Sequence, residues 1–231
     1  MKKIKLLMFH FAGGNIYSFQ PFHDLLKHKF DVVFLELPGR GQRIGEELVD
    51  DIDSAVKDLY TKVKPHVLDN AYILYGHSMG GLLSYLIAKM LEKDKLPLPK
   101  RIILSSSKAP SVKTKIYRHN LPVKEFKNHL RSYNGTPPEI LENEEFFNFY
   151  EPILRADFKI IETYTPGDFY SLNIPIVAIR ADKETFSEED FLQWKLFSKK
   201  LVKIHHVEGD HFFIFKDKKK FAELLIEESI D

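Results

Sequence analysis

The sequence predicts an α/β fold in which helices flank a mostly parallel central sheet. Two observations carry this prediction: short apolar runs alternate with longer amphipathic stretches, and the apolar runs are nearly continuous. Continuous runs are typical of strands covered on both faces, and strand–helix alternation favours parallel strands joined by right-handed crossovers. The length of 231 residues fits one domain, residues 1–231, with a small insertion.

The order of elements follows from the same pattern. Six apolar runs are the predicted strands, in chain order Ile4–Phe9, Val32–Leu37, Tyr72–Tyr75, Arg101–Ser105, Ile174–Ile179 and Val202–Val207. The predicted helices are Phe19–Lys27, Ile52–Val67, Gly81–Lys93, Glu188–Ser198 and Lys218–Glu228.

Residues 112–166 interrupt the alternation of strands and helices because they contain no convincing strand. They hold helical patches rich in phenylalanine and tyrosine, interrupted by Asn134-Gly135 and Pro137-Pro138. In a small domain, so long a segment without a strand usually has a function. The segment lies between the fourth and fifth predicted strands, so we interpret it as a helical lid over an active site. The alternative is an ordinary helical subdomain.

Composition narrows the classes of function. The 34 Lys and Arg residues nearly balance the 33 Asp and Glu residues, giving a net charge of +1, which offers no electrostatic argument for a nucleic acid or membrane partner. The absence of cysteine excludes disulfides, thiolate metal sites and a cysteine nucleophile. The apolar run at Leu6–Phe11 is too short for a signal peptide, and no stretch has the length of a membrane span. We therefore expect a cytoplasmic protein.

The segment Gly76-His77-Ser78-Met79-Gly80 has the pattern G-x-S-x-G between a predicted strand and a predicted helix. In that setting the pattern is typical of a nucleophile elbow, where a strained turn projects the serine hydroxyl above the sheet. We expect Ser78 to be the nucleophile and the Met79 backbone N–H to be the first oxyanion-hole donor. His77 and the Met79 side chain are expected to shape the turn. The alternative is a plain glycine-bounded strand–helix turn.

A serine of this kind needs a histidine base and an acid, in the chain order serine, acid, histidine. His211 fits the base because it directly follows the last predicted strand. The acid should follow the fifth strand, where the loop offers both Asp182 and Glu184. Either carboxylate can hold the imidazole in the right tautomer, and the residues alone do not separate them.

Five motifs together resemble the type II thioesterases that accompany nonribosomal peptide and polyketide synthases, which have the α/β-hydrolase fold. In order, they are Met8-Phe-His-Phe-Ala-Gly-Gly14, Leu37-Pro-Gly-Arg-Gly-Gln-Arg43, Gly76–Gly80, Leu154-Arg-Ala-Asp157 and Gly209-Asp-His-Phe-Phe213. The resemblance spans nearly the whole chain. It implies hydrolysis of acyl thioesters on the phosphopantetheine arm of a carrier protein, with no cofactor of the enzyme's own. A monomer is the expected state.

The resemblance also bears on single residues. It implies that the Ala12 backbone N–H is the second oxyanion donor. His10 stands where proline is usual. Ala181 replaces the glycine that normally precedes the acid by three residues, which makes Glu184 the aligned position, whereas Asp182 has the usual chemistry but lies two residues earlier.

Three alternatives remain at this point. A fatty-acyl thioesterase or a general esterase would use the same chemistry on other substrates, and an inactive carrier-binding module would keep only the fold. The basic residues Arg40 and Arg43 could meet an acidic carrier protein, or they could be solvated or structural. The aromatic residues of the lid could contact an acyl chain or simply form a core.

Overall fold

The computed structural model describes residues 3–68, 71–114 and 116–229 and has a six-stranded sheet at its centre. The strands lie in the order β2-β1-β3-β4-β5-β6, and every neighbouring pair is parallel. Their bounds are β1 Ile4–Phe9, β2 Phe30–Leu35, β3 Tyr72–His77, β4 Ile102–Ser105, β5 Ile176–Ala181 and β6 Val202–Val207. The predicted fold class is confirmed.

Helices cover both faces of this sheet. One face carries α1 (Gln20–Leu26), α8 (Phe213–Lys216) and α9 (Lys218–Glu227), and the other carries α2 (Ile52–Val67), α3 (Met79–Lys93) and α7 (Glu188–Leu192). Neighbouring residues of β1 therefore enter different cores: Leu7 and Phe9 pack on the α3 face, while Leu6 and Met8 pack on the α1 face. This double coverage explains the continuous apolar runs. None of the helices in the described ranges is long and apolar enough to cross a membrane.

Several predicted elements differ from the observed ones at their bounds; the fifth strand, for example, is Ile176–Ala181 rather than Ile174–Ile179. Two of the differences have a visible cause. The second strand ends at Leu35 rather than at Leu37, because the Leu37 N–H turns away to donate a hydrogen bond to Nε2 of His10 at 3.3 Å. The predicted helix Glu188–Ser198 is wrong as a single α-helix. It ends at Leu192 and continues as a 3-10 turn, Gln193–Leu196, in which the buried Trp194 donates its indole N–H to the Ser107 carbonyl at 2.8 Å.

Residues 112–166, which we call the insertion, contain no strand in their described part, as the sequence predicts. They form α4 (Val123–Tyr133), α5 (Pro138–Glu142) and α6 (Glu144–Glu162). These helices share a small core of their own, formed by Phe126, Leu130, Leu141, Phe147, Leu154 and Phe158. The insertion follows β4, which ends beside the elbow, and precedes β5, which begins at the opposite edge of the parallel sheet.

Candidate active site

The elbow connects β3 to α3 through one residue, Ser78, whose φ of 53° and ψ of −116° place it in a strained turn. Its N–H donates to the Ser105 carbonyl at 2.8 Å, which ties the turn to β4. A Cβ on Gly76 would lie 2.0 Å from the Gly80 carbonyl oxygen, and a Cβ on Gly80 would lie 2.2 Å from the Phe9 carbonyl oxygen. Both glycines of the motif are therefore required by the close approach of strand and helix.

Three side chains from different loops form a hydrogen-bonded relay. Nε2 of His211 lies 3.0 Å from Oγ of Ser78, and Nδ1 of His211 lies 2.9 Å from Oε2 of Glu184. The Glu184 side chain is fully buried and the histidine is 8% exposed. Such a relay can deprotonate the serine hydroxyl and stabilise the imidazolium that results, which is the chemistry of nucleophilic acyl transfer.

Asp182, the second candidate acid, does not contact the imidazole. Its exposed carboxylate accepts the Gly209 N–H at 2.7 Å, and this hydrogen bond lowers the pKa of Asp182. Its own N–H donates to the Val207 carbonyl at 2.9 Å. The structure thus brings Glu184, and not Asp182, to His211, while Asp182 is hydrogen-bonded to Gly209 in the loop that leads to His211.

Ser106 is a residue of the site that the sequence reasoning did not single out. It has a φ of 48°, is buried, and donates its hydroxyl to the His211 carbonyl at 3.0 Å. Its N–H donates to the Ile179 carbonyl at 2.9 Å, so it is fixed to β5 as well. The run of three serines that ends β4 is the only sequence signal for it.

His77 lies inside the elbow and is completely buried. Its Nδ1 lies 2.8 Å from Oγ of Ser105, and its ring centroid lies 5.3 Å from that of His211. Burial, with the nearby charge of His211, holds the pKa of His77 well below its usual value. His77 is therefore neutral, and its contacts fit the structural role that we predicted for it.

Ala12 and Met79, the expected oxyanion donors, both line the cavity in front of Ser78. In the described part of the chain the Ala12 N–H meets no protein acceptor. Met79 is the first residue of α3, where the N–H groups of the opening turn have no partner within the helix. Both residues therefore line the cavity, and their role as oxyanion donors stays a prediction.

A buried ion pair joins three of the sequence motifs. Nη1 of Arg40 lies 2.5 Å from Oδ2 of Asp157, and both side chains are almost fully buried. The same carboxylate oxygen accepts the Gly13 N–H at 2.7 Å. Arg40 therefore has a structural role and does not face a partner. Arg43 likewise pairs within the chain, with Glu46 and Asp58.

His10 supports the junction that the Arg40–Asp157 ion pair forms. It is buried, and its Nδ1 lies 2.8 Å from the Phe11 carbonyl oxygen. Burial, and to a lesser extent the charge of Arg40, lowers the pKa of His10 to about 4. A neutral imidazole can accept the Leu37 N–H at Nε2 while it donates from Nδ1, so His10 links β1 to the loop of Arg40.

The cavity in front of Ser78 has a volume of about 140 Å³ and is walled by both the core and the insertion. Leu130, Leu154 and Phe158 supply an apolar part of the wall. Arg118 and Glu162 supply a charged part, in which Nη1 of Arg118 lies 3.1 Å from the buried carboxylate of Glu162. Some aromatic residues of the insertion line the cavity, whereas others, such as Phe146 and Phe149, are exposed.

The insertion also contacts His211 directly. The Tyr133 ring packs edge-on against His211 at a centroid distance of 5.1 Å. Gly135 lies so close to Phe212 that a Cβ there would be 1.9 Å from the ring. Among the described residues, no group of three or more His, Cys, Asp or Glu side chains is arranged to hold a metal ion.

The chain is similar to known proteins in both sequence and structure. The family model described as a thioesterase domain matches residues 4–228. The chain is 31% identical over 226 residues to the medium-chain S-acyl fatty acid synthase thioesterase of Homo sapiens, covering 91% of this chain and 80% of the relative. It is 27% identical over 225 residues to the gramicidin S biosynthesis protein GrsT of Aneurinibacillus migulanus, covering 96% and 88%.

A solved structure agrees with these sequence matches. The RedJ thioesterase from the prodiginine biosynthetic pathway in Streptomyces coelicolor superimposes with a TM-score of 0.90 at 27% identity. The match covers 99% of this chain and 90% of that structure. The likeness therefore includes the insertion as well as the sheet.

Proposed function

The chain belongs to the thioesterase family, and from that premise we propose that it is a type II editing thioesterase. It hydrolyses acyl or aminoacyl thioesters on the phosphopantetheine arm of carrier proteins in nonribosomal peptide or polyketide synthesis. The observation that carries the proposal is the relay of Ser78, His211 and Glu184, which faces a cavity lined by Ala12 and Met79. The biosynthetic roles named for RedJ and GrsT support the class of pathway.

In the first half of the reaction the substrate acylates the enzyme. His211 takes the Ser78 proton at Nε2 while Oγ attacks the thioester carbonyl, and Glu184 holds the Nδ1 proton and stabilises the imidazolium. The Met79 and Ala12 amides donate hydrogen bonds to the oxyanion. When the intermediate collapses, the carbon–sulfur bond breaks and the imidazolium gives its proton to the departing pantetheine sulfur.

In the second half water releases the acyl group. His211 removes a proton from water, the hydroxide oxygen attacks the acyl carbon, and the same two amides receive the oxyanion. Collapse breaks the bond to Ser78 Oγ, which recovers its proton from His211. The products are the free carboxylic acid and the regenerated serine, so the cycle uses no cofactor of the enzyme's own.

The insertion acts in this proposal as a lid within a single domain that spans residues 1–231. Its support is that α4 and α6 wall the cavity and that Tyr133 touches the base. A wall of this kind excludes water from the acyl-enzyme until the thiol has left. The enzyme works as a monomer in the cytoplasm, where carrier proteins and their synthases are made.

A medium-chain fatty-acyl thioesterase is the second candidate, because the relative from Homo sapiens has that activity in its name. The charged pair of Arg118 and Glu162 in the cavity wall favours shorter or more polar acyl groups over a long hydrocarbon chain. A general esterase and an inactive carrier-binding module fit less well. The family assignment and the complete relay both support a thioester-cleaving enzyme.

The decisive experiment compares one acyl group on different leaving groups. An acetyl group is loaded on a phosphopantetheinylated peptidyl carrier protein, on coenzyme A and on a simple oxygen ester, and kcat/KM is measured for each. We expect the carrier-protein thioester to be cleaved fastest. An octanoyl group that is cleaved faster than acetyl from every carrier would favour the fatty-acyl candidate, and equal rates on all leaving groups would contradict the editing function.

A further inference from the structure

A groove lies between α2 and α3, outside the catalytic cavity. It has a volume of about 650 Å³, and its floor is formed by Ile52, Val56, Tyr60, Leu86 and Met90. Tyr164, at the end of the insertion, lines both this groove and the cavity of Ser78. The two spaces are therefore neighbours that share one aromatic side chain.

The groove is strongly basic at its rim. Four lysines line it, Lys57 and Lys64 from α2 and Lys89 and Lys93 from α3, against one carboxylate, Asp53. None of the four is ion-paired within the described ranges. The lining of the groove therefore carries a net positive charge, in a chain whose overall net charge is only +1.

Aromatic rings hold some of these ammonium groups in place. Nζ of Lys89 and Nζ of Lys93 lie 5.3 Å and 5.8 Å from the centroid of the Tyr170 ring, and Nζ of Lys64 lies 5.4 Å from that of Tyr60. Desolvation by burial, with the charge of Lys93, lowers the pKa of Lys89, while Asp168 acts in the opposite direction. The positive charges are therefore close together and partly ordered before any partner arrives.

The distance along α3 suits a carrier arm. At about 1.5 Å per residue, Lys89 lies roughly 16 Å beyond Ser78 along the helix axis. A phosphopantetheine arm has about thirteen bonds from phosphorus to sulfur, and at about 1.2 Å per bond an extended chain of that length spans roughly 16 Å. A thioester held at Ser78 can therefore place its phosphate near Lys89 and Lys93.

We propose that the α2–α3 groove is the surface on which an acidic carrier protein docks, with the phosphate of its arm beside Lys89 and Lys93. This inference rests on the proposed function and locates its partner on the molecule. The apolar floor contacts the arm and the partner's apolar residues, and the lysines attract its carboxylates. Tyr164 lies where the arm passes from the groove into the cavity.

The test uses the ratio of two specificity constants for the whole chain. One kcat/KM is measured with an acetyl-loaded, phosphopantetheinylated peptidyl carrier protein, and the other with acetyl-N-acetylcysteamine, which carries only the end of the arm. We expect Lys89→Glu/Lys93→Glu to lower the ratio by about tenfold or more, because the variant replaces attraction by repulsion. Raising the salt concentration should lower the ratio of the unchanged chain as well.

Two further variants make the result specific. Lys57→Glu/Lys64→Glu changes the opposite wall through exposed side chains of α2 and should lower the ratio in the same direction. Lys218→Glu/Lys219→Glu makes the same change of charge on α9, across the sheet, and should keep the ratio within about twofold of the unchanged chain.

The outcomes distinguish a failure of the docking surface from a failure of the editing function. If both groove variants keep the ratio of the unchanged chain, or if the α9 control lowers it equally, the docking surface is overturned while the editing function stands. If the unchanged chain itself shows a ratio near one, the editing function fails and the docking surface fails with it.

Discussion

The elbow and the insertion are both needed to build the cavity, but they are held in place by different means. The elbow is fixed by its backbone: Gly76 and Gly80 have no room for a Cβ, and Ser78 has a positive φ. The insertion is fixed mainly by side chains from distant parts of the chain, of which the Arg40–Asp157 ion pair is the most buried.

This difference decides what each region tolerates. In the elbow a side chain can be shortened with little structural effect, whereas an added methyl group at either glycine would collide with backbone. In the insertion the loss of one side chain leaves a buried partner without its counter-charge.

Ser78→Ala should separate the chemistry of the elbow from its structure. We expect kcat for an acyl thioester to fall by about 10⁵- to 10⁶-fold, because the nucleophile is removed, while the free energy of unfolding changes little. The rate of thiol release gives kcat, and denaturant unfolding gives the free energy of unfolding. Undiminished turnover would remove Ser78 from the mechanism.

Glu184→Gln and Asp182→Asn should differ strongly although the two residues share one loop. We expect the Glu184 variant to lose roughly 10³- to 10⁴-fold in kcat, because the imidazole loses the partner that sets its tautomer and stabilises its charge. The Asp182 variant keeps the relay and should lose less than about tenfold. Equal losses in the two variants would mean that the acid lies elsewhere.

Arg40→Met should destabilise the junction between the insertion and the core. Leaving the Asp157 carboxylate buried without its counter-charge should cost about 3–5 kcal/mol of unfolding free energy. Adding Asp157→Asn removes that charge but keeps an acceptor for the Gly13 N–H, so the double variant should be more stable than the single one. A double variant no better than the single one would show that the charge itself is not the cause.

His10 should make the same junction sensitive to acid. Its folded pKa of about 4 is below the usual value of 6.5, so the unfolded chain binds the extra proton first as the pH falls. Its stabilising effect is complete above pH 6.5, declines between pH 6.5 and 4, and is worth roughly 3 kcal/mol over that range.

The matching variant is His10→Gln, which removes this titration. Denaturant unfolding at several pH values should give a smaller loss of stability between pH 6.5 and 4 than in the unchanged chain. The buried His77 remains in the variant and leaves part of the slope. Identical slopes in the two proteins would contradict the role of His10.

The same contrast explains what could be predicted from the sequence. The strands and the elbow were predictable because burial on both faces and the lack of room at Gly76 and Gly80 restrict the residue types locally. The insertion was recognisable as helical, but its ion pair joins residues 117 positions apart and leaves no periodic signal.

The choice between Asp182 and Glu184 shows a second limit. Both are carboxylates in the loop after β5, and the residues alone left them open. The end of β5 decides between them. The strand ends at Ala181, so Asp182 is the first loop residue and hydrogen-bonds to Gly209. Two residues later the chain has come close enough to His211 for Glu184 to contact it. Ser106 went unnoticed because a buried serine hydroxyl has no distinctive pattern in sequence.

The edge-on packing of Tyr133 against His211 gives the molecule a built-in spectroscopic reporter. An aromatic ring shifts the magnetic resonance frequencies of protons held near it, and the ring centroids here are 5.1 Å apart. If the insertion swings away, the ring protons of His211 lose that shift. The chemical shifts of the His211 ring would then report a movement of the insertion without any added label.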